Sequence, residues 1–265
     1  MTLLYKWLAS HVPGLKIKLI EARMPGTDED YMKKTWIGAL YLSLGLIFIA
    51  FLFTKKIIVF LFFPIIFLFM FSYLSKIVDV KIKKMRNEID KEILFAGRFL
   101  IIELESGVPL YNTFKNMSDN YETIGPYFDD IVDKVDFGTA MEDALNEVIA
   151  TTPSPNLRRV LWQILNSFKT GSNVTGSLNV VLDQIGREQQ ITIKEYGKKL
   201  NPIAMFYMMI AIIVPSLGIT MLSVLASFLG WNISLGILIV IVILIGFVQF
   251  MFLAIIKSSR PPMAF

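Results

Sequence analysis

The chain is predicted to be an all-α membrane protein, with four transmembrane helices in two hairpins flanking a cytoplasmic helical-bundle domain. Three observations carry this. Hydrophobic residues make up 54% of the 265 against 18% charged, far too apolar a balance for an ordinary soluble domain. Three stretches hold no charge at all: Thr35 to Thr54, Ile57 to Ser75, and Leu200 to Ile256. Between the second and third lies a charged segment whose apolar residues recur at helical spacing.

Taken in order, residues 1–35 form an N-terminal segment with short amphipathic helices. Leu3, Leu4, Trp7 and Leu8 share one helical face, and Leu15 to Arg23 make a second stretch that breaks at Met24-Pro25-Gly26. Thr27 with Asp30 three residues on is a capping-box pattern that leads into the first span. The opening residues lack the charged, apolar, small-residue order of a removable signal, so the spans are expected to do the targeting. About 20 residues cross a hydrocarbon core, so residues 36–75 give one hairpin turning at Lys55-Lys56. The long third run is enough for a second, 203–256, cut at Gly230-Trp231-Asn232.

Orientation follows from the basic residues. Six lie in residues 1–35, sixteen in 76–202 and two in the tail 257–265, against two at Lys55 and Lys56. Both termini and the 76–202 segment are therefore expected in the cytoplasm, in a multi-pass protein of the cell membrane. A formal charge of +4 is accounted for by this topology, and no nucleic-acid partner is expected.

The segment 76–202 carries 16 basic and 18 acidic residues, a balance suited to an independent folded unit. Its periodic apolar sets are Ile89, Ile93, Ala96, Leu100, Leu104, then Leu157, Val160, Leu161, Ile164, Leu165, Phe168, then Leu178, Val181, Leu182, Ile185. Nothing interrupts the helical pattern from Tyr73 to Glu105, so the second span should run on as a long helix until Gly107 stops it and Pro109 opens the next. The same joint recurs at Gly138 and Gly171. Each glycine precedes two apolar residues four apart: Leu110 and Phe114, Met141 and Leu145, Val174 and Leu178. Thr139 and Ser172 are expected to cap the helices after their glycines, and Pro153-Ser154-Pro155 starts a further helix.

These residues resemble a known family. Leu104-Glu-Ser-Gly-Val-Pro-Leu110, Phe137-Gly-Thr-Ala-Met-Glu-Asp-Ala-Leu145, Ser154-Pro-Asn-Leu-Arg-Arg159, Lys169-Thr-Gly171 and Lys194-Glu-Tyr-Gly-Lys-Lys-Leu-Asn-Pro202 look like the type II secretion system F domain. The resemblance is close over about residues 88–202. The flanking hairpins match the shorter, one-domain Tad and archaeal-pilus branch of that family. It implies an integral platform protein of a secretion system, type IV or Tad pilus or archaellum. Such a platform contacts the secretion ATPase and helps prepilin or pilin subunits leave the bilayer. Many relatives carry two copies of the helical domain, so the resemblance also implies a second platform chain, either a homodimer or a paralogue. The second class of reading is a helical transporter or channel subunit with a cytoplasmic regulatory domain. It is disfavoured by the lack of any ionisable residue inside the spans.

Enzyme chemistry is not expected. The chain has no cysteine and one histidine, His11, and shows neither a nucleophile elbow nor a metalloprotease motif. Gly171-Ser-Asn-Val-Thr-Gly176-Ser-Leu has phosphate-loop spacing, but Ser177 and Leu178 replace the residues that would reach phosphate and magnesium. No cofactor or metal is therefore expected. The candidate sites are for partners: the acidic stretch Asp129, Asp130, Asp133, Asp136, and Arg158 with Arg159, which open a helix where the dipole does not favour them. Within the spans, Pro64 and Pro215 should kink their helices, with a hinge at Pro215 to Gly218, and Gln249 should hydrogen-bond between helices.

Overall fold

The computed structural model describes residues 14–55, 57–230 and 234–258; Leu3, Leu4, Trp7, Leu8, His11 and Asn232 fall outside them. Every regular element among the described residues is a helix. The chain divides into two compact units, 1–183 and 184–263.

In the first unit, α1 (Leu15–Glu21) is a single amphipathic piece. Its Leu15 and Leu19, with Ala22, are buried against Met32 and Val78, and Tyr31, Phe71 and Ile82 close the cluster. The apolar face of this stretch is thus covered by protein. α2 (Asp28–Thr54) opens with the full capping box, Thr27 Oγ1 accepting from the Asp30 amide at 3.2 Å while the Asp30 carboxylate accepts from the Thr27 amide at 3.4 Å. It ends at Lys55 with φ 51°. Its buried stripe is Met32, Thr35, Ala39, Ser43 and Ile47, in which the small residues Thr35, Ala39 and Ser43, four apart, let another helix approach closely.

That helix is α3 (Phe63–Ser75), preceded by a 3-10 stretch Ile57–Phe62. The expected hairpin forms, with Trp36 edge-on to Phe67 and the Tyr31 hydroxyl donating to the Leu74 carbonyl at 3.1 Å. Where a kink at Pro64 is expected, the helix changes type: Pro64 has no N–H for the Phe60 carbonyl, Ile57–Phe62 winds tighter, and α geometry starts at Phe63.

α3 meets α4 (Ile77–Glu105) across one residue, Lys76, itself at φ −83°. The long helix read from the sequence is present: Ile57–Glu105 forms one continuous helical stretch. α4 is then wrapped by α5 (Leu110–Asn120), α6 (Gly125–Asp136), α7 (Met141–Thr151), α8 (Pro155–Thr170) and the start of α9 (Val174–Tyr207). The core holds Ile89, Ile93, Ala96 and Leu100 of α4, with Phe114, Phe128, Leu145, Leu161, Ile164 and Leu178. Gly97 brings α4 and α9 together, since a Cβ there would sit 2.5 Å from Leu182. Ile185 is buried as expected, whereas Phe168 is exposed and Leu104 and Val181 are only partly covered.

All three glycine joints adopt positive φ: 83° at Gly107, 91° at Gly138 and 65° at Gly171. At Gly107 the amides of Gly107 and Val108 return to Leu104 and Glu103, the double hydrogen bond that ends a helix at a left-handed residue. The second apolar residue of each pair, Phe114, Leu145 and Leu178, is fully buried. The capping expectation needs correction. Ala140, not Thr139, stands at the start of α7 and brings no side-chain cap. Before α9 the cap is Asn173, whose amide oxygen accepts from the Thr175 and Gly176 amides at 3.0 and 3.2 Å, while Ser172 accepts from the Thr170 hydroxyl. The extended residue that turns the chain lies one position further from the glycine than Thr139 and Ser172 do.

The second unit holds the rest of α9, a π-helical turn Met208–Ile213, α10 (Val214–Leu229) and α11 (Leu235–Ser258). Gly230, at φ 66°, ends α10 where the sequence placed the cut. Three helical stretches are long and apolar enough to cross a membrane, Asp28–Thr54, Ile57–Glu105 and Val174–Leu229; a shorter apolar helix spans Leu238–Phe252.

Candidate functional site

The charged residues singled out by the sequence fall on α6 and α8. Asp130 is half-buried and pairs with Arg23, whose guanidinium also donates to the Pro126 carbonyl at 3.0 Å and lies 4.3 Å from the centre of the Tyr127 ring. Burial raises the Asp130 carboxyl above its ordinary range, against the pull of Arg23. Arg158 donates to the Thr152 carbonyl at 2.7 Å and reaches Glu21 at 3.3 Å. The two outwardly separate candidates therefore converge on one job: Asp130 and Arg158 strap the end of α1 onto the helical bundle. Lys18 to Asp79 at 2.8 Å adds a third tie.

Asp136 accepts from the Tyr111 hydroxyl at 2.6 Å, and Lys134 between the aspartates pairs with Glu147. Asp129 and Asp133 remain exposed, one helical turn apart on α6, and Arg159 is partly covered on α8. Arg158 stands in the first turn of α8 because the strap and the Thr152 carbonyl hold it there, which offsets the unfavourable dipole position.

Sequence reasoning missed the acids of α4. Asp90 accepts from the Ser154 hydroxyl at 2.6 Å and from Asn156 at 3.1 Å; Ser154, fully buried, in turn accepts from the Leu157 amide at 3.2 Å and so caps α8. Glu92 accepts from the Ile124 amide at the start of α6, and Glu103 from Asn116 of α5. One helix thereby fixes the entry of its neighbours. The available signal was that these acids sit beside buried apolar positions of a helix, where an unpaired charge would be costly.

In the second unit, Pro215 stands at the first turn of α10, directly after the π turn, and Pro215 and Gly218 line an apolar groove of about 360 Å³ with Leu222, Leu238, Ile241 and Ile245. The proline removes the donor that would have served the carbonyl four residues back, Ala211. Gln249 of α11 supplies it, donating through Nε2 to that oxygen at 3.3 Å. The interhelical role expected of Gln249 is the one it has. Among the described residues no group of three or more acidic, histidine or cysteine side chains could hold a metal ion.

Residues 98–222, from the second half of α4 to the middle of α10, match the family Type II secretion system (T2SS), protein F. The chain carries a protein F domain. This is the family that the residues around Gly107, Gly138 and Gly171 resemble. No curated protein and no solved structure matches it. The matched range takes in all three glycine joints, the Ser154 cap and the Pro215 turn, while α1 with its Lys18 and Glu21, and Arg23 just after it, lie outside it.

Proposed function

We propose that this protein is the membrane platform subunit of a type IV filament or type II secretion-like machine, coupling a cytoplasmic secretion ATPase to pilin assembly or export. The observation that carries the reading is an F domain whose sequence runs into helices long and apolar enough to cross a bilayer. In this reading residues 36–75 and 203–256 are two transmembrane hairpins, with α11 the fourth span. The 76–202 bundle, the strapped N-terminal segment and the 257–265 tail face the cytoplasm, as the excess of Lys and Arg there supports. The role is mechanical rather than catalytic, and a second platform chain completes the assembly.

Force is transmitted through helices that do not break between charged and apolar sequence. α9 supports this, a single 34-residue helix that contains both Lys194 and Pro202. The test is genetic: loss of the chain should abolish filaments or export while prepilin persists in the membrane, and the intact chain should restore them. A chain carrying a flexible glycine linker between Lys194 and Pro202 should insert normally yet fail to restore them. Normal assembly without the chain would sink the platform reading, and normal assembly with the linker would sink the lever.

A further inference from the structure

The first hairpin runs into the helical bundle at Lys76, and the α-helical ladder changes there. In an unbroken helix the Lys76 amide would reach back four residues; here it bonds to the Tyr73 carbonyl, three back, at 3.2 Å. Ser75 turns its hydroxyl onto the Phe71 carbonyl, donating at 2.7 Å, and the Tyr31 hydroxyl of α2 donates to the Leu74 carbonyl at 3.1 Å. A 3-10 turn and side chains bonded into the ladder are what bends a helix.

α1 lies across this junction. Its Leu15 and Leu19, with Ala22, share one buried cluster with Met32 of α2 and Val78 of α4, and Phe71 and Ile82 join it from the two sides of Lys76. Lys18 ties the same helix to Asp79 at 2.8 Å. Its far end reaches the bundle, through Glu21 to Arg158 of α8 and through Arg23 to Asp130 of α6. α2 itself packs mainly on α1, α3 and the 3-10 stretch. The hairpin is therefore joined to α6 and α8 by two routes, one through Lys76 and α4, the other through α1.

The end of α1 favours this contact over an easy turn. The amides of Arg23 and Met24 return to the carbonyls of Ile20 and Leu19 at 2.9 and 3.0 Å, the pair of hydrogen bonds that closes a left-handed helix end. Gly107 and Gly138 fill the left-handed place after α4 and α6, whereas after α1 it is Arg23, at φ 46°. A non-glycine residue keeps that backbone only where its surroundings hold it. Here Asp130, the Pro126 carbonyl at 3.0 Å and the Tyr127 ring hold the guanidinium. With 7 residues, α1 is also too short to persist undocked, so its contacts are made or lost together. We propose that residues 73–77 are a hinge between hairpin and bundle, and that α1 is a clasp across it, locked by Arg23 and Glu21 and able to release as a unit. Docked, it makes hairpin and bundle one lever; released, it lets the bundle swing about Lys76. The clasp rests on contacts within the first unit and not on the platform reading.

The test uses the full-length chain in lipid nanodiscs with spin labels, since the chain has no cysteine of its own. Tyr41→Cys on α2 with Asn146→Cys on α7 spans the hinge, and Asn112→Cys with Asn146→Cys lies within the bundle; all three positions are exposed. Distances are read by double electron–electron resonance. The intact chain should give one narrow distance for each pair. Arg23→Gly with Glu21→Gln should widen the hinge-spanning distribution roughly twofold or more and leave the bundle pair unchanged. Glycine suits the left-handed backbone, so a turn of merely structural importance would be improved by the same change. Amide exchange at residues 74–78 should quicken in that variant. An unchanged hinge-spanning distance, a broad one already in the intact chain, or unaltered exchange at those amides overturns the clasp. Should both pairs widen, Asp79→Lys decides, because it breaks the Lys18 tie alone. Hinge-spanning widening that Lys18→Glu then reverses supports the clasp; no widening, or widening left in place, overturns it. No readout involves a filament, so failure of the clasp and failure of the platform reading give different results.

Discussion

The hydrogen bond from Gln249 to the Ala211 carbonyl exists because Pro215 cannot serve that oxygen, and this dependence can be measured. Replacing Gln249 with Leu removes the donor and leaves the carbonyl facing hydrocarbon or an apolar groove. Interhelical hydrogen bonds in membranes contribute about 0.6 kcal/mol on average and up to about 1.7. The 3.3 Å length argues against the top of that range, so about 1 kcal/mol is expected. Pro215→Ala restores an N–H four residues beyond Ala211 and lets the π turn relax toward α geometry. In that background Gln249→Leu should cost close to nothing. The double-mutant cycle, read by reversible SDS unfolding of the full chain in mixed micelles, should therefore give a coupling energy of about 1 kcal/mol. An identical cost of Gln249→Leu with and without the proline would refute the compensation argument.

Ser154→Ala removes both the cap of α8 and a donor to Asp90, and should speed amide exchange at the start of α8 roughly 30-fold, corresponding to about 2 kcal/mol, in hydrogen-exchange mass spectrometry. Ser154→Asp, an acceptable cap elsewhere, should be no better because it sets a second carboxylate against Asp90. Gly125→Ala meets the Ser118 carbonyl at 2.7 Å and should lower thermal stability more than Gly171→Ala, where the added methyl finds open space and only the left-handed backbone, about 1 kcal/mol, is penalised. The chain has no cysteine, so single cysteines report topology without background. Phe137→Cys, at the 90% exposed end of α6, should react with an impermeant maleimide only in opened cells, and Lys55→Cys in intact ones once any outer envelope is permeable to the reagent.

The sequence was most informative where one physical rule acts alone. Charge-free runs of bilayer length located the apolar helices, and three glycines followed by paired apolar residues located the joints, because a left-handed helix end selects glycine strongly. The capping box at Thr27 was legible for the same reason, two side chains three residues apart serving each other's backbone. Misreadings came where a neighbour in space decides the outcome. Thr139 and Ser172 looked like caps by adjacency, yet the chain turns one residue later. Ile57 to Phe62 looked like ordinary helix, although Pro64 removes the donor it needs. Asp130 and Arg158 appeared as free charges on a surface because their partners, Arg23 and Glu21, lie more than a hundred residues away and on the far side of the first hairpin in sequence. The carboxylates of α4 were passed over because a helix pattern shows which face is buried but not which neighbouring helix end needs an acceptor.

The most direct measurement of the central claim is to solubilise the tagged chain from native membranes in mild detergent and identify by mass spectrometry what co-purifies. The platform account predicts a secretion ATPase and prepilins, recovered together and lost when the helical bundle is deleted. Reproducible recovery of neither, with a solute-binding or signalling protein in their place, would contradict it and favour a transporter or channel subunit.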